Sequence, residues 1–207
     1  MTIIRVHNGD ISSESVAKYT DSIAVDTETL GLIPRRDRLC IVQLSPGDGT
    51  ADIIRISPGQ KSAPNLEAML SDQRREKIFH YGRFDIAVLF YNFGVVTTPV
   101  FCTKIASRLV RTYTNYHSLK NNLKEILGVD ISKMQQSSDW GADDLSSEQL
   151  EYAAKDVIYL HALRNELMIL LEKNSRVDLA LSCFEFLMNR AKLDLLGWDA
   201  VDIFSHS

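Results

Sequence analysis

Ile23-Ala24-Val25-Asp26-Thr27-Glu28-Thr29 is the stretch on which the reading of this chain turns. Its apolar start suits a short buried strand over 22–25, and the polarity changes abruptly at Asp26. Residues two apart in a strand point to the same side, so Asp26 and Glu28 can converge on one cation. Strand ends are also where α/β domains commonly build their sites. Taken alone the pair is weak, because neighbouring acids at a strand end commonly mark a solvated turn. Two further acids, each in a marked context, give it weight.

Asp85 ends the segment His80-Tyr81-Gly82-Arg83-Phe84-Asp85. Its plain alternative is a solvated acid in a first helical turn, where negative charge is favoured. Asp156 follows Tyr152 by four residues, so a helix places both on one face. Ala153, Val157 and Leu160 make that face at least partly apolar. A buried carboxylate needs a compensating partner, and either a metal ion or a basic side chain would serve.

Working outward, strands are expected over 38–44, closed by Ser45-Pro46-Gly47-Asp48-Gly49, over 51–56, and over 77–80. The strands at 22–25, 38–44 and 51–56 should form an antiparallel meander. Helices are expected over 64–70, with Pro64 in the first turn, and over 84–93, stopped by Gly94. The second half reads as helical. Thr103 can cap a helix to 111, and Ser118 one to 127 that Gly128 ends. Ser146 and Gln149 match a capping box heading a long helix to about 173, and a last amphipathic helix covers 176–190. Strands first and helices later indicate a single α/β domain over 1–207, a mixed sheet flanked by helices with a helical C-terminal half.

Length and composition agree. The 207 residues are 45% hydrophobic and 24% charged, values of a globular protein with a substantial core. No apolar run suits a bilayer span, and the polar N-terminus lacks the apolar core of a signal peptide. The three widely spaced cysteines, Cys40, Cys102 and Cys183, suit reduced thiols, so a cytoplasmic location is expected. The net charge of −4 offers no global basic surplus for gripping a long nucleic acid.

Four carboxylates without a His or Cys cluster favour magnesium or manganese over zinc. Two such ions about 3.5–4 Å apart can support in-line attack on a phosphodiester. Tyr152 would then orient the attacking water, since its ordinary pKa of about 10 makes it a poor base. Asp26, Glu28, Asp85 and Asp156 are the candidate metal ligands, and with Tyr152 the candidate catalytic set.

The three segments Asp26-Thr27-Glu28, His80 to Asp85 and Tyr152 to Asp156 resemble, in order and spacing, the motifs of the DEDD exonuclease superfamily in its tyrosine-bearing branch. Ser118-Leu119-Lys120-Asn121-Asn122-Leu123 and the run from Ser137-Ser138-Asp139-Trp140 to Ala154 resemble the ribonuclease D group within it. The resemblance covers nearly the whole chain and implies a ribonuclease H-like fold. Departures narrow it: ribonuclease D usually has Asn at the place of Tyr81 and an Arg-Pro pair where Asp143-Asp144 stand here. It also carries extra helical domains beyond the length seen here. Gly141-Ala142-Asp143-Asp144 and Ala191 through Trp198 look most like the nanoRNase C group. That resemblance implies a 3′→5′ exoribonuclease releasing 5′-monophosphates from very short RNA, especially diribonucleotides. It also implies a homo-oligomeric ring, of eight copies in such relatives.

Under the same resemblance Leu32, in Leu30-Gly31-Leu32, matches an apolar wedge between two bases, with an ordinary loop anchor as the alternative. Thr27 and His80 complete the candidate substrate contacts, although a histidine at a strand end is commonly structural. Arg111, Tyr113 and Tyr116 suit either a nucleotide-binding loop or a plain solvated one. The apolar tail with Leu193, Leu195, Leu196, Trp198, Val201, Ile203 and Phe204 suits an interface. Two other functions compete: a broader 3′→5′ exonuclease on longer RNA or DNA, and a non-catalytic nucleic-acid-binding module. The intact acids oppose the latter.

Overall fold

The computed structural model describes residues 2–132, 134–135 and 138–206; Ser137 of the ribonuclease D-like run lies outside the described residues. The chain opens with strand β1 (Ile3–Asn8) and a single turn, α1 (Ser13–Val16), then forms β2 (Ser22–Thr29), β3 (Leu39–Ser45) and β4 (Thr50–Arg55). These last three are the expected antiparallel meander. Helix α2 (Pro64–Ser71) leads to β5 (Glu76–Phe79), α3 (Arg83–Phe93) and the three-residue β6 (Val100–Cys102). The order across the sheet is β1-β4-β3-β2-β5-β6, with β1, β5 and β6 joined in parallel to their neighbours.

β2 holds the centre because it is apolar enough to be covered on both sides: Ile23, Ala24 and Val25 have no exposed surface. β3 is buried along its whole length, as a nearly continuous apolar run requires. β2 does not end at residue 25 but continues to Thr29, paired with β3 through the acidic segment, with a register shift between Glu28 and Thr29. Asp26 and Glu28 are thus held by ladder hydrogen bonds rather than in a loop.

The helices follow α4 (Thr103–Val110), α5 (Leu119–Asn122) with a π-turn (Leu123–Leu127), α6 (Ser147–Ile158), α7 (Leu160–Lys173) and α8 (Val177–Leu193) with a second π-turn (Asp194–Trp198). Ser146 and Gln149 make the capping box at the head of α6, and Gly94 and Gly128 adopt the left-handed conformation that ends their helices. The long helix expected to 173 is instead two, parted at Tyr159. The reason lies in packing. α6 lies on β3 and β4, whereas α7 lies against α4, so the two helices serve different packing partners.

β1, α1 and β6 have no sequence signature. In β1 the polarity is inverted: Ile3 and Val6 are exposed, while Arg5 and His7 turn toward the buried Asp52 of β4. Asp52 accepts from Arg5 Nε and Nη2 (both 2.8 Å) and Tyr19 Oη (2.8 Å), and lies 2.7 Å from His7 Nε2. Burial alone would raise its pKa, but the bonds from Arg5, His7 and Tyr19 outweigh it and hold the carboxyl well below the usual carboxylate range. Its contribution is therefore present above the unfolded pKa of about 4 and is lost as pH falls toward the folded value.

Asp52→Asn should cost about 3 kcal/mol at pH 7, because Arg5 loses its buried partner. Denaturant unfolding should show the gap from wild type narrowing below about pH 4. An equal gap at pH 3 and pH 7 contradicts this account of the β1 edge.

Candidate active site

Each functional side chain is placed by a different local rule. β2 alternates, so Asp26 and Glu28 share one side and Thr27 takes the other. Gln43 pairs with Asp26 across the β2–β3 ladder, and its amide donates to Asp26 Oδ2 at 3.4 Å. Asp85 sits in the first turn of α3, where the helix N-terminus favours a negative charge. It is not the solvated acid that position alone allows, since it is 3% exposed. The Thr27 hydroxyl donates to Asp85 Oδ1 at 2.7 Å, tying α3 to β2. Tyr152 and Asp156 stand one turn apart on α6.

Carboxylate oxygens of Asp26, Glu28 and Asp156 lie within 4.8 Å of one another. The electrostatics are severe. Burial, then repulsion by Asp85, Asp156 and Glu28, pushes the Asp26 pKa well above the ordinary value. Burial, then Asp156 and Asp85, raises Glu28 to about 9. Burial raises Asp85 to about 7 against the pull of the Thr27 hydroxyl. The Tyr152 phenol is pushed far up by burial and by the negative charge of Asp156, Glu28 and Asp26, so it stays protonated. An all-oxygen, like-charged cluster with raised pKa values fits a hard divalent cation, which would relieve the repulsion. Asp26, Glu28, Asp85 and Asp156 are the residues that could hold it.

These groups line a cavity of about 800 Å³, whose walls also carry Leu30, Leu32, His80, Tyr81, Lys104, Lys120 and Trp140. Leu32 is 84% exposed. It also lines an adjoining cavity of about 450 Å³ with Arg35, Arg83 and Phe84. Thr103 donates its hydroxyl proton to Phe79 O, so His80 Nδ1 is the donor in its 2.8 Å contact with Thr103 Oγ1. That contact fixes the ring on the cavity wall. Thr27 lines the cavity with its hydroxyl engaged by Asp85.

Arg111 takes neither of the roles open to it in sequence. It is buried, donating to Ser107 Oγ (3.1 Å), Tyr116 O (2.9 Å) and Asn122 Oδ1 (3.0 Å) and pairing with Glu125. It therefore ties the 112–117 loop to α5, while Tyr113 and Tyr116 remain exposed. Gln43 and Trp140 are among the residues at the site that the sequence leaves without a role. Gln43 has no signature, because its relation to Asp26 exists only through strand register. Trp140 packs against Tyr152 with ring centroids 6.0 Å apart. Its one signal was its place in the ribonuclease D-like run.

A family model described as 3′–5′ exonuclease matches residues 9–172. Ribonuclease D of Gluconacetobacter diazotrophicus is 32% identical over 156 residues, which are 75% of this chain and 39% of that protein. The chain thus spans about two fifths of the length of such curated relatives. Among solved structures, the apo form of a nuclease is 69% identical with a TM-score of 0.99, covering 100% of both chains. Brucella melitensis NrnC is 57% identical with a TM-score of 0.96 over 99% of both chains. The same Brucella protein has been solved bound to pGG and with bound Mg2+.

Relief of carboxylate repulsion is measurable without turnover. In EDTA, Asp26→Asn and Glu28→Gln should raise Tm by about 2–4 °C, the effect of roughly 1 kcal/mol at this chain length. Added Mg2+ should raise the wild-type Tm and leave the variants nearly unmoved. A wild type indifferent to Mg2+, or variants less stable than it in EDTA, would contradict the cluster's assignment.

Proposed function

As a chain that belongs to the 3′–5′ exonuclease family and is an exonuclease of the ribonuclease D and NrnC type, we propose that it degrades very short RNA, diribonucleotides above all, to nucleoside 5′-monophosphates. The observation that carries this reading is Leu32. It stands 84% exposed on the partition between two cavities, with the carboxylates on one side. An apolar side chain bare in such a place suits insertion between two bases, one in each cavity. The likeness of the whole chain to an NrnC solved with pGG supports the same reading. Against the broader exonuclease, the net charge of −4 gives little reward for added phosphates.

Two divalent ions, Mg2+ or Mn2+, held by Asp26, Glu28, Asp85 and Asp156 would supply the charge for activating water and stabilising the leaving oxygen. The chain's own residues do the placing. The β2 ladder fixes Asp26 and Glu28, and the Thr27 hydroxyl orients Asp85. Tyr152, kept protonated by burial and by its acidic neighbours, offers a hydroxyl to position water rather than a base to deprotonate it. Trp140 packs beside the Tyr152 ring at an interplanar angle of 39°. Leu32, Thr27 and His80 line the substrate's path.

The proposal extends to assembly and location. Leu196, Val201 and Phe204 are more than half exposed beyond α8, and Trp198 and Ile203 nearly so. Exposed apolar side chains of this kind suit burial in a closed homo-oligomeric ring, with eight copies expected. Three free cysteines suit the reducing cytoplasm. No described helix is long and apolar enough to cross a membrane.

Competition between labelled two-mer and seven-mer RNA in Ca2+ tests the substrate. The two-mer should win, and Leu32→Ala should weaken its binding by roughly 1–3 kcal/mol, one to two decades. Equal affinity for both lengths would favour the broader exonuclease. Tyr152→Phe should lower single-turnover hydrolysis by about 10²-fold while binding is largely kept; unchanged turnover makes the tyrosine a packing residue. Light scattering at micromolar concentration should report an assembly well above a dimer, and a monomer would remove the ring.

A further inference from the structure

The turn joining β5 to α3 contains a residue in a costly conformation. Tyr81 has a φ of 70°. In that left-handed region Cβ crowds the following carbonyl, so bulky side chains seldom adopt it, whereas Gly and Asn do so readily. The turn has a glycine, but Gly82 is needed for another reason. A Cβ there would stand 2.8 Å from Phe79 Cβ, so only glycine lets α3 start this close to β5. The strained position is left to an aromatic residue.

Core packing does not account for the choice, because Tyr81 is 45% exposed. Its surroundings are functional instead. Tyr81 lines both the carboxylate cavity and the adjoining one, as Leu32 and Phe84 do. Lys104 Nζ lies over the ring, 4.2 Å from its centroid, and braces it from one side. Strain of this kind persists where the surroundings over-determine it, and such positions cluster at ligand clamps. A rigid ring with a free area at the partition offers a nucleobase a stacking surface at small cost in side-chain entropy.

We propose that Tyr81 is a specificity-determining residue: its ring is the platform for the nucleotide held across Leu32 from the carboxylates. Leu32 separates the two bases, and Tyr81 receives the outer one. A substrate with one nucleotide beyond the wedge is then held fully, whereas a longer chain must run past the ring and gains nothing from it. This inference rests on the proposed short-RNA function and names the residue that reads the outer nucleotide.

The test sets stability against binding in one set of variants. Tyr81→Asn and Tyr81→Gly suit the backbone and remove the ring; Tyr81→Phe keeps the ring. Titration of pGG in Ca2+ should show affinity falling about 10-fold or more for the Asn and Gly variants, and far less for Phe. Their Tm should equal or exceed that of the wild type, because strain is released. Affinity for a seven-mer should fall less, narrowing the length preference. Wild-type affinity for pGG in the Asn and Gly variants overturns the proposal. So does a Tm that drops together with affinity, which makes the ring a packing residue. A wild type that binds pGG no more tightly than the seven-mer fails the short-RNA function itself, and this inference with it.

Discussion

Four carboxylates are forced toward one point by three elements that have other reasons to be where they are. β2 is central because its apolar half is buried on both faces, and its ladder with β3 extends through Asp26 and Glu28. α3 begins beside β5 because Gly82 allows it, which brings Asp85 under Thr27. α6 is started by a capping box and held against β3 and β4, which brings in Tyr152 and Asp156. Repulsion in that cluster is the cost, visible in the raised pKa values of Asp26, Glu28 and Asp85. Core packing supplies the force that holds the acids together, and a divalent cation would relieve their repulsion. Stability and function therefore pull in opposite directions at these positions.

Much of this was legible in the chain. The acids, the tyrosine and their spacing carry the family, because D-x-E on a strand and Tyr-x-x-x-Asp on a helix are local patterns with fixed geometry. The meander, α2, α3 and the capping box were legible for the same reason. What was hidden depends on partners far along the chain. β1 looks inverted until Asp52 is placed beneath it, and β6 is too short for any pattern. The break at Tyr159 follows from two packing partners that no window of sequence contains. Arg111 among tyrosines looks like a surface contact, yet Asn122 and Glu125 bury it. The contact of Gln43 with Asp26 and the positive φ of Tyr81 likewise belong to the folded chain alone.

The site is asymmetric in its demands. The half that carries the carboxylates is rigid: ladder, helix and Thr27–Asp85 bond leave the acids little freedom. The half proposed for recognition is built from exposed side chains on connections, Leu32 after β2 and Tyr81 before α3. That division suits the proposed function, in which chemistry shared across a family is combined with a substrate length set by a few side chains beside it. Under the proposed function the exposed Leu32 would have the substrate, rather than the core, as its partner.

The central claim, that Asp26, Glu28, Asp85 and Asp156 together hold two divalent cations, is tested most directly by counting ions. Mn2+ binding to the metal-free protein with pGG present, followed by the electron paramagnetic resonance signal of free Mn2+, gives stoichiometry without turnover. Two ions per chain are predicted for the wild type, with at least one lost in Asp156→Asn. No bound Mn2+, or wild-type stoichiometry in that variant, would contradict the account.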